Sequence, residues 1–265
     1  MTEKKLDVLT QFRTEREMGY KNGLYRLIQI DFAYNSNRME GSTLTEDDTR
    51  LIYETGKMIA DKGDMINAND VIETVNHFRC FDYLLDVAEE KLSEVHIKEF
   101  HRILKRGSLD EDKPYFAVGD YKKQENIAGN IETTAPKDVP IAMSKLLDSF
   151  HHVSEEYQDR SDGEKLRGII DFHVKFEKIH PFQDGNGRVG RLVMFKSCLE
   201  NHIMPFVIED KNRPYYLQGL INYQRNFDKI QLTETILQEQ DIFTARYEKY
   251  AFLAAEVESK VGRDF

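Results

Sequence analysis

The sequence predicts an all-α fold: a single helical domain with a small β-hairpin flap. Apolar residues recur at helical spacing along most of the chain. Glycines and Ser/Thr/Asp capping residues fall between those periodic stretches. The one stretch of different character, Asp110 to Asp138, is short and carries Pro114, Gly119, Gly129 and Pro136 between β-prone pieces. With one dominant period and one short hairpin, helix-on-helix packing is the simplest architecture. The 265 residues can bury one large core, and residues 1–265 are read as one domain.

The elements follow in order. Leu24, Leu27, Ile28, Phe32 and Met39 predict a helix over Leu24–Met39, within an expected inhibitory region at 22–42, and Gly41 is placed to stop it. Thr45 and Asp48 predict a capping box for the next helix. Val71, Ile72, Val75, Phe78, Phe81 and Leu85 stripe a long helix from about Asn69 to Leu92, and another runs from Ser93 to near Gly107. The flap region is 110–138, with the hairpin itself over Glu125–Thr134. Helices resume at about Lys137–His152 and at Asp162–Ile179, where Leu166, Ile169, Ile170, His173 and Phe176 share a face. The next helix opens at about Gly187 and runs to His202, completing a helix-loop-helix over 162–202. C-terminal helices over 203–265 cover about Pro214–Arg225 and Thr233–Glu258.

Composition excludes several classes of function. The balance is ordinary for a folded chain, with 40% apolar and 32% charged residues. A net charge of −10 lacks the basic field of a nucleic-acid binder, so any phosphate must be gripped locally. No run of eighteen apolar residues exists, so no membrane span is expected, and Met1–Asp7 does not read as an export signal. Two cysteines, Cys80 and Cys198, both in helical segments, fit a reducing cytoplasm. Homo-oligomerisation is left open.

The chemistry concentrates in His180-Pro181-Phe182-Gln183-Asp184-Gly185-Asn186-Gly187-Arg188-Val189-Gly190-Arg191. His180 sits at a helix exit, where a tuned imidazole can act as general base. Gly185 and Gly187 let the backbone approach a ligand, and their N–H groups at a helix start make an anion site. Arg188 and Arg191, three apart, can fork onto phosphate oxygens. Asp184 is a hard oxygen ligand suited to Mg²⁺ on phosphates. Base, metal ligand, phosphate cradle and two arginines together predict phosphoryl or nucleotidyl transfer. The G-x-G-x-x-G match inside this segment follows a helix rather than a strand, so a dinucleotide site is rejected. No Walker A motif occurs.

This segment resembles the Fic motif H-P-F-x-[D/E]-G-N-G-R-x-x-R at every specified position, and the likeness extends from about Leu24 to Tyr250. The resemblance implies a protein adenylyltransferase. A target hydroxyl attacks the α-phosphate of ATP, His180 takes the proton, and Asp184 holds Mg²⁺. Gly185, Asn186 and Gly187 cradle the phosphates, and Arg188 and Arg191 hold the β/γ end, with Val189 and Gly190 within the same nucleotide-binding stretch. Ser36-Asn37-Arg38-Met39-Glu40-Gly41 resembles the family's inhibitory motif, which implies an autoinhibited chain with Ser36 and Glu40 on one face of the inhibitory helix, and Glu40 is expected to pair with Arg191. Tyr216 and Gln224 lie where the family covers the nucleoside, although the family's commoner residue at the second position is Asn. Ile127-Ala128-Gly129-Asn130-Ile131 resembles the flap that contacts nucleotide, through Ala128, Gly129, Asn130 and Ile131, and that docks the target protein as an added strand. Two alternatives stay open: removal of AMP from a modified target, and a non-catalytic nucleotide-bound regulator. His173 reads as a core histidine, and the pairs His151/His152 and His96/His101 lack metal-ligand spacing. Asp110-Glu111-Asp112 and Gln238-Glu239-Gln240-Asp241 read as solvated faces.

Overall fold

The computed structural model describes residues 7–59, 65–128, 131–156 and 161–261. Ten α-helices carry the architecture among them: α1 Val8–Glu17, α2 Leu24–Met39, α3 Glu46–Thr55, α4 Ala68–Asp86, α5 Glu94–Lys105, α6 Val139–Glu156, α7 Asp162–Ile179, α8 Asn186–Glu200, α9 Arg213–Asn226 and α10 Ile230–Val261. The all-α class stands. The hairpin expected over Glu125–Thr134 is described only as two two-residue strands, β1 Ile127–Ala128 and β2 Ile131–Glu132, paired antiparallel with Ile127 opposite Glu132. None of the helices is long and apolar enough to cross a membrane, among the described residues.

Local chemistry sets the helix ends. Asp7 caps α1, its side chain accepting from the Leu9 N–H at 3.2 Å. No sequence pattern led us to α1. Its buried face is only Val8, Leu9 and Phe12, too few residues to show a period. α2 ends in a Schellman motif: the Ser42 N–H reaches Asn37 O at 3.1 Å, the Gly41 N–H reaches Arg38 O at 3.1 Å, and Gly41 takes φ +95°. That motif fixes Glu40 at the helix end. Thr45 and Asp48 close the expected capping box reciprocally, at 3.1 and 2.9 Å. The helix expected from Asn69 to Leu92 stops at Asp86, and a turn with its Glu90 N–H on Val87 O leads to the Ser93 cap of α5.

α8 is the axis of the fold. It packs against α2, α4, α5 and α7. Every residue from Arg188 to Leu199 is buried, which is why its sequence shows no polar face. Phe195 is its anchor: its ring lies 5.3 Å from Phe32, 5.5 Å from Phe81, 5.8 Å from Phe243 and 6.3 Å from Phe12. Four helices (α1, α2, α4 and α10) therefore meet α8 through one aromatic cluster. Truncating Phe195 to Ala should cost about 3–5 kcal/mol, the range for emptying an aromatic core site. Urea unfolding of the variant checks this, and a loss below about 1 kcal/mol would remove Phe195 from its central position.

Candidate active site

α7 closes on its C-cap, His180, whose N–H bonds Phe176 O at 2.9 Å while its backbone is left-handed, φ 52° and ψ 62°. A non-glycine residue held there is unusual and is retained only where its surroundings fix it. Those surroundings are dense. The Lys122 N–H donates to Pro181 O at 2.8 Å, and Asn126 Nδ2 donates to Phe182 O at 2.8 Å. Phe182 is fully buried and stacks on His101, centroids 4.0 Å apart and planes 6° apart. His101 Nδ1 accepts the Gly119 N–H at 2.9 Å, so its Nε2–H donates to Asp184 O at 3.2 Å. His101 thus ties the loop to the start of the flap region, and burial, its main perturbation, pushes its pKa down to about 3.

His180 Nδ1 faces Glu177 O at 3.4 Å, and a carbonyl only accepts. The proton therefore sits on Nδ1 and the Nε2 lone pair is left for an incoming proton. Burial lowers the His180 pKa, with the nearby Lys122 charge acting the same way, so the ring is neutral near pH 7. Lys122 spans the gap to the hairpin: its Nζ donates to Asn126 Oδ1 at 2.6 Å, Thr133 Oγ1 at 2.7 Å and Ile179 O at 3.4 Å. Burial lowers its pKa to about 8.

The glycine-rich turn places α8 as expected, with Gly185 as N-cap at φ +82°. Asn186 does not point toward a ligand. It is buried, accepts the Phe182 N–H at 2.8 Å and donates to Phe182 O at 2.8 Å, so its side chain staples the loop to the helix start. Gly187 faces the end of α2: a Cβ added there would overlap Glu40 Oε1 and lie 3.0 Å from Arg191 Nη1. Val189 is core. A Cβ on Gly190 would lie 2.7 Å from Glu177 Oε1 and 2.8 Å from the His173 ring, so this glycine admits two buried polar side chains.

The two arginines are buried and separately engaged. Arg191 Nε donates to Ser36 Oγ at 3.0 Å, and its Nη2 donates to Ser36 O at 2.9 Å and to Glu40 Oε1 at 2.7 Å. The Ser36 and Glu40 face of α2 therefore sits directly on Arg191. Burial works to raise the Glu40 pKa, but the Arg191 and Arg188 charges outweigh it and hold the carboxyl below its usual range. Arg188 turns instead to Glu73 on α4, to Asn37 Oδ1 at 3.5 Å and to Asp184 Oδ2 at 3.3 Å. Asp184 also accepts from Lys105 Nζ at 2.7 Å. Burial would raise the Asp184 pKa, and Arg188 and Lys105 drive it far below the ordinary carboxylate value instead.

Tyr216 is buried, and its hydroxyl meets His173 Nε2 at 2.6 Å, which also makes His173 the core histidine expected. Gln224 is half-buried with Nε2 on Val174 O at 3.3 Å. Ala128 and Ile131 belong to the paired strands, while Gly129 and Asn130 lie outside the described residues. Two polar stretches differ from expectation. Asp110 turns inward to Lys105, and Glu239 is 1% exposed, accepting the Glu209 N–H and Asn212 Nδ2, each at 2.9 Å. In both places a buried donor from elsewhere in the fold recruits a carboxylate that solvent would otherwise hold.

Glu73, Lys105, Lys122 and Glu177 were not singled out from the sequence, and His101 stood out only as a histidine without metal-ligand spacing. Glu177, one turn before His180, carried only a local hint. Its Oε2 lies 3.9 Å from His180 Nδ1 and its Oε1 is buried without a partner. Burial first, and the Glu40 charge second, raise its pKa to about 8.

This helical scaffold, with a histidine loop feeding a glycine-capped central helix, has the fold of Fic proteins. Residues 91–198 form a Fic domain of the Fic/DOC family. The chain is 29% identical over 196 residues to the protein adenylyltransferase Fic of Nematostella vectensis, covering 71% of this chain and 41% of that protein. It is 27% identical over 190 residues to protein adenylyltransferase fic-1 of Caenorhabditis briggsae, covering 71% and 35%. The chain thus spans about two fifths or less of these curated relatives. Among solved structures, a Fic domain containing signaling protein of Bacteroides thetaiotaomicron superposes with a TM-score of 0.65 at 21% identity, covering 89% of this chain and 91% of that one. Fic-1 of C. elegans gives 0.67 at 18%, covering 93% and 72%. At these identities the superpositions establish the fold.

Glu177 generates a pH prediction. The folded state keeps its proton up to about pH 8, whereas the unfolded chain releases it near 4.5. The native state then binds more protons, so stability falls as pH rises between those values, by roughly 1.4 kcal/mol per unit. Glu177→Gln lacks this proton and should lose less stability between pH 6 and pH 8. Parallel urea-unfolding curves for the two proteins at both pH values would count against a protonated Glu177.

Proposed function

We propose that this chain is an autoinhibited protein adenylyltransferase that transfers AMP from ATP to a hydroxyl of a target protein, and also to itself. One observation carries the reading: a neutral, loop-clamped His180 stands beside a glycine-capped helix start whose Arg191 is held by Ser36 and Glu40. The relatives named protein adenylyltransferase support the class of reaction.

In this mechanism the target hydroxyl oxygen bonds the α-phosphorus of ATP, its proton passes to His180 Nε2, and the bond to the bridging oxygen breaks to release pyrophosphate. The Nδ1–H held by Glu177 O keeps His180 in the tautomer that can accept the proton. Backbone N–H groups of the α8 N-terminus, from Gly185, Asn186 and Gly187, face the phosphates. Arg191, once free of Glu40, holds the terminal phosphate, with Arg188 behind it. Tyr216 and Gln224 line the nucleoside end, and the segment 127–131 covers the nucleotide and pairs with an extended stretch of the target. Asp184 is the metal-binding residue: it is half-exposed, and with Glu73 and Asp110 it offers an all-oxygen group whose ligand atoms lie within 4.8 Å of one another, which suits Mg²⁺. Bound there with ATP, Mg²⁺ would neutralise phosphate charge. Two buried free cysteines fit the cytoplasm as the working compartment.

Two outcomes follow, both read as AMP incorporation from radiolabelled ATP. His180→Ala should abolish labelling while calorimetry shows ATP binding largely retained, because the phosphate grip lies in other groups. Labelling near the wild-type rate would strip His180 of its role. Glu40→Gly should raise transfer and self-labelling at least about tenfold, equivalent to about 1.4 kcal/mol of barrier. An unchanged or slower rate in the folded variant would end the inhibitory reading and leave Glu40 as a residue that positions water for AMP removal.

A further inference from the structure

Lys105, the last residue of α5, is 1% exposed, yet it carries an ammonium. That ammonium contacts three carboxylates: Asp184 Oδ2 at 2.7 Å, Asp110 Oδ2 at 3.1 Å, and Glu73 Oε1. They are the same three carboxylates that form the all-oxygen group. A lysine has three N–H donors and no acceptor, so one donor meets each carboxylate. Glu73 and Asp184 also carry Arg188, and Asp110 also pairs with Lys113 Nζ at 2.5 Å. The cluster is thus already supplied with cations from the protein.

Access differs among the three acids. The Asp184 side chain is 52% exposed, whereas Glu73 is 10% and Asp110 19% exposed. An ion arriving from solvent meets Asp184 first, at a carboxylate whose Oδ2 Lys105 already holds. A divalent ion at that oxygen and an ammonium within hydrogen-bond reach of it repel each other, in a setting where burial weakens screening. Mg²⁺ also loses hydration water reluctantly and demands near-ideal oxygen geometry, so a tethered competitor with no hydration shell to lose has the advantage when metal is scarce.

We propose that Lys105 is a tethered counter-cation of Asp184: it holds the carboxylate in place without metal and competes with the divalent ion for the same oxygen. Metal affinity is then set by Lys105, and the site fills only when the nucleotide brings further oxygen ligands to the ion. This rests on the reading of Asp184 as the metal-binding residue. Lys105 is a positioning residue and touches no reacting atom.

Mn²⁺ alone is the probe, and the loss of its free-ion paramagnetic resonance signal is the readout, with no turnover involved. Lys105→Gln should bind Mn²⁺ at least about tenfold more tightly than wild type, and adding Asp184→Asn to that variant should remove the gain. Lys105→Gln/Asp110→Asn removes one charge of each sign and should also bind more tightly than wild type. It serves if the single variant loses its helical circular dichroism. Equal or weaker binding in the folded variant overturns the proposal. A gain that survives Asp184→Asn also overturns it, and shows separately that the metal does not bind at Asp184.

Discussion

A helix buried along almost its whole length cannot carry a charge unless a counter-charge is brought to it. α8 carries Arg188, Arg191 and Lys196, all within 5% exposure. An unpaired charge in such a place costs several kcal/mol, and removing one partner from a buried pair costs about 3–5 kcal/mol. The acceptors therefore dictate which helices surround α8 and in what register. α2 presents Ser36, Asn37 and Glu40, α4 presents Glu73, and the loop after α7 presents Asp184. Lys196 closes on Glu200 Oε2 at 2.6 Å and on Glu90 O in the turn after α4. His77, buried near both arginines, stays neutral because burial and their charges push its pKa to about 3, so it adds no further cation.

The loop before α8 is held by a different device. Its carbonyls at Pro181, Phe182 and Asp184 are each taken by a donor from outside or from α8: the Lys122 N–H, the Asn126 and Asn186 amides, and the His101 ring. Two of those donors, Lys122 and Asn126, belong to the segment leading into the hairpin, and His101 reaches the same segment through Gly119. The position of His180 is thus coupled to the base of the hairpin by hydrogen bonds and by the Phe182 ring stacked on His101. The proposed role of His180 as a base needs such a constraint.

Much of this was legible in the sequence because it was local. The bounds of α7 follow from its period, the Thr45 capping box from two residues three apart, and Gly41 from the need for a left-handed helix stop. The whole histidine-to-arginine segment is contiguous, so its chemistry could be read in one place. The glutamate–arginine contact spans 151 residues and was foreseeable only because a motif marks each end. The counter-charges carry no such mark. Glu73 meets Arg188 across 115 residues and Lys105 meets Asp184 across 79, and neither Glu73 nor Lys105 stands out from the other charged residues on its helix. Asn186 shows the opposite limit: its presence in the motif was plain, but its use as a backbone staple depends on the turn geometry at Phe182.

The acceptors around α8 are not equivalent, and the difference decides which of them can leave. Glu73 is 10% exposed and is held by two cations at once, Arg188 and Lys105. Taking it away would strip a charged acceptor from both at once, with Arg188 Nε already buried and unpartnered. Glu40 is 35% exposed at the end of a helix, and Arg191 keeps two further acceptors, the Ser36 hydroxyl and carbonyl, if Glu40 withdraws. Withdrawal therefore removes one charge-assisted bond, worth about 1.5–3 kcal/mol, without stripping the guanidinium bare. It also clears the face of Gly187, where Glu40 Oε1 now lies against the helix start. In the proposed reaction an incoming phosphate replaces that bond on Arg191 and gains the α8 N-terminal amides as well. Of the contacts that hold α2 to α8, the Glu40 carboxylate is thus the one that can exchange for a ligand while the buried network beneath it stays paired.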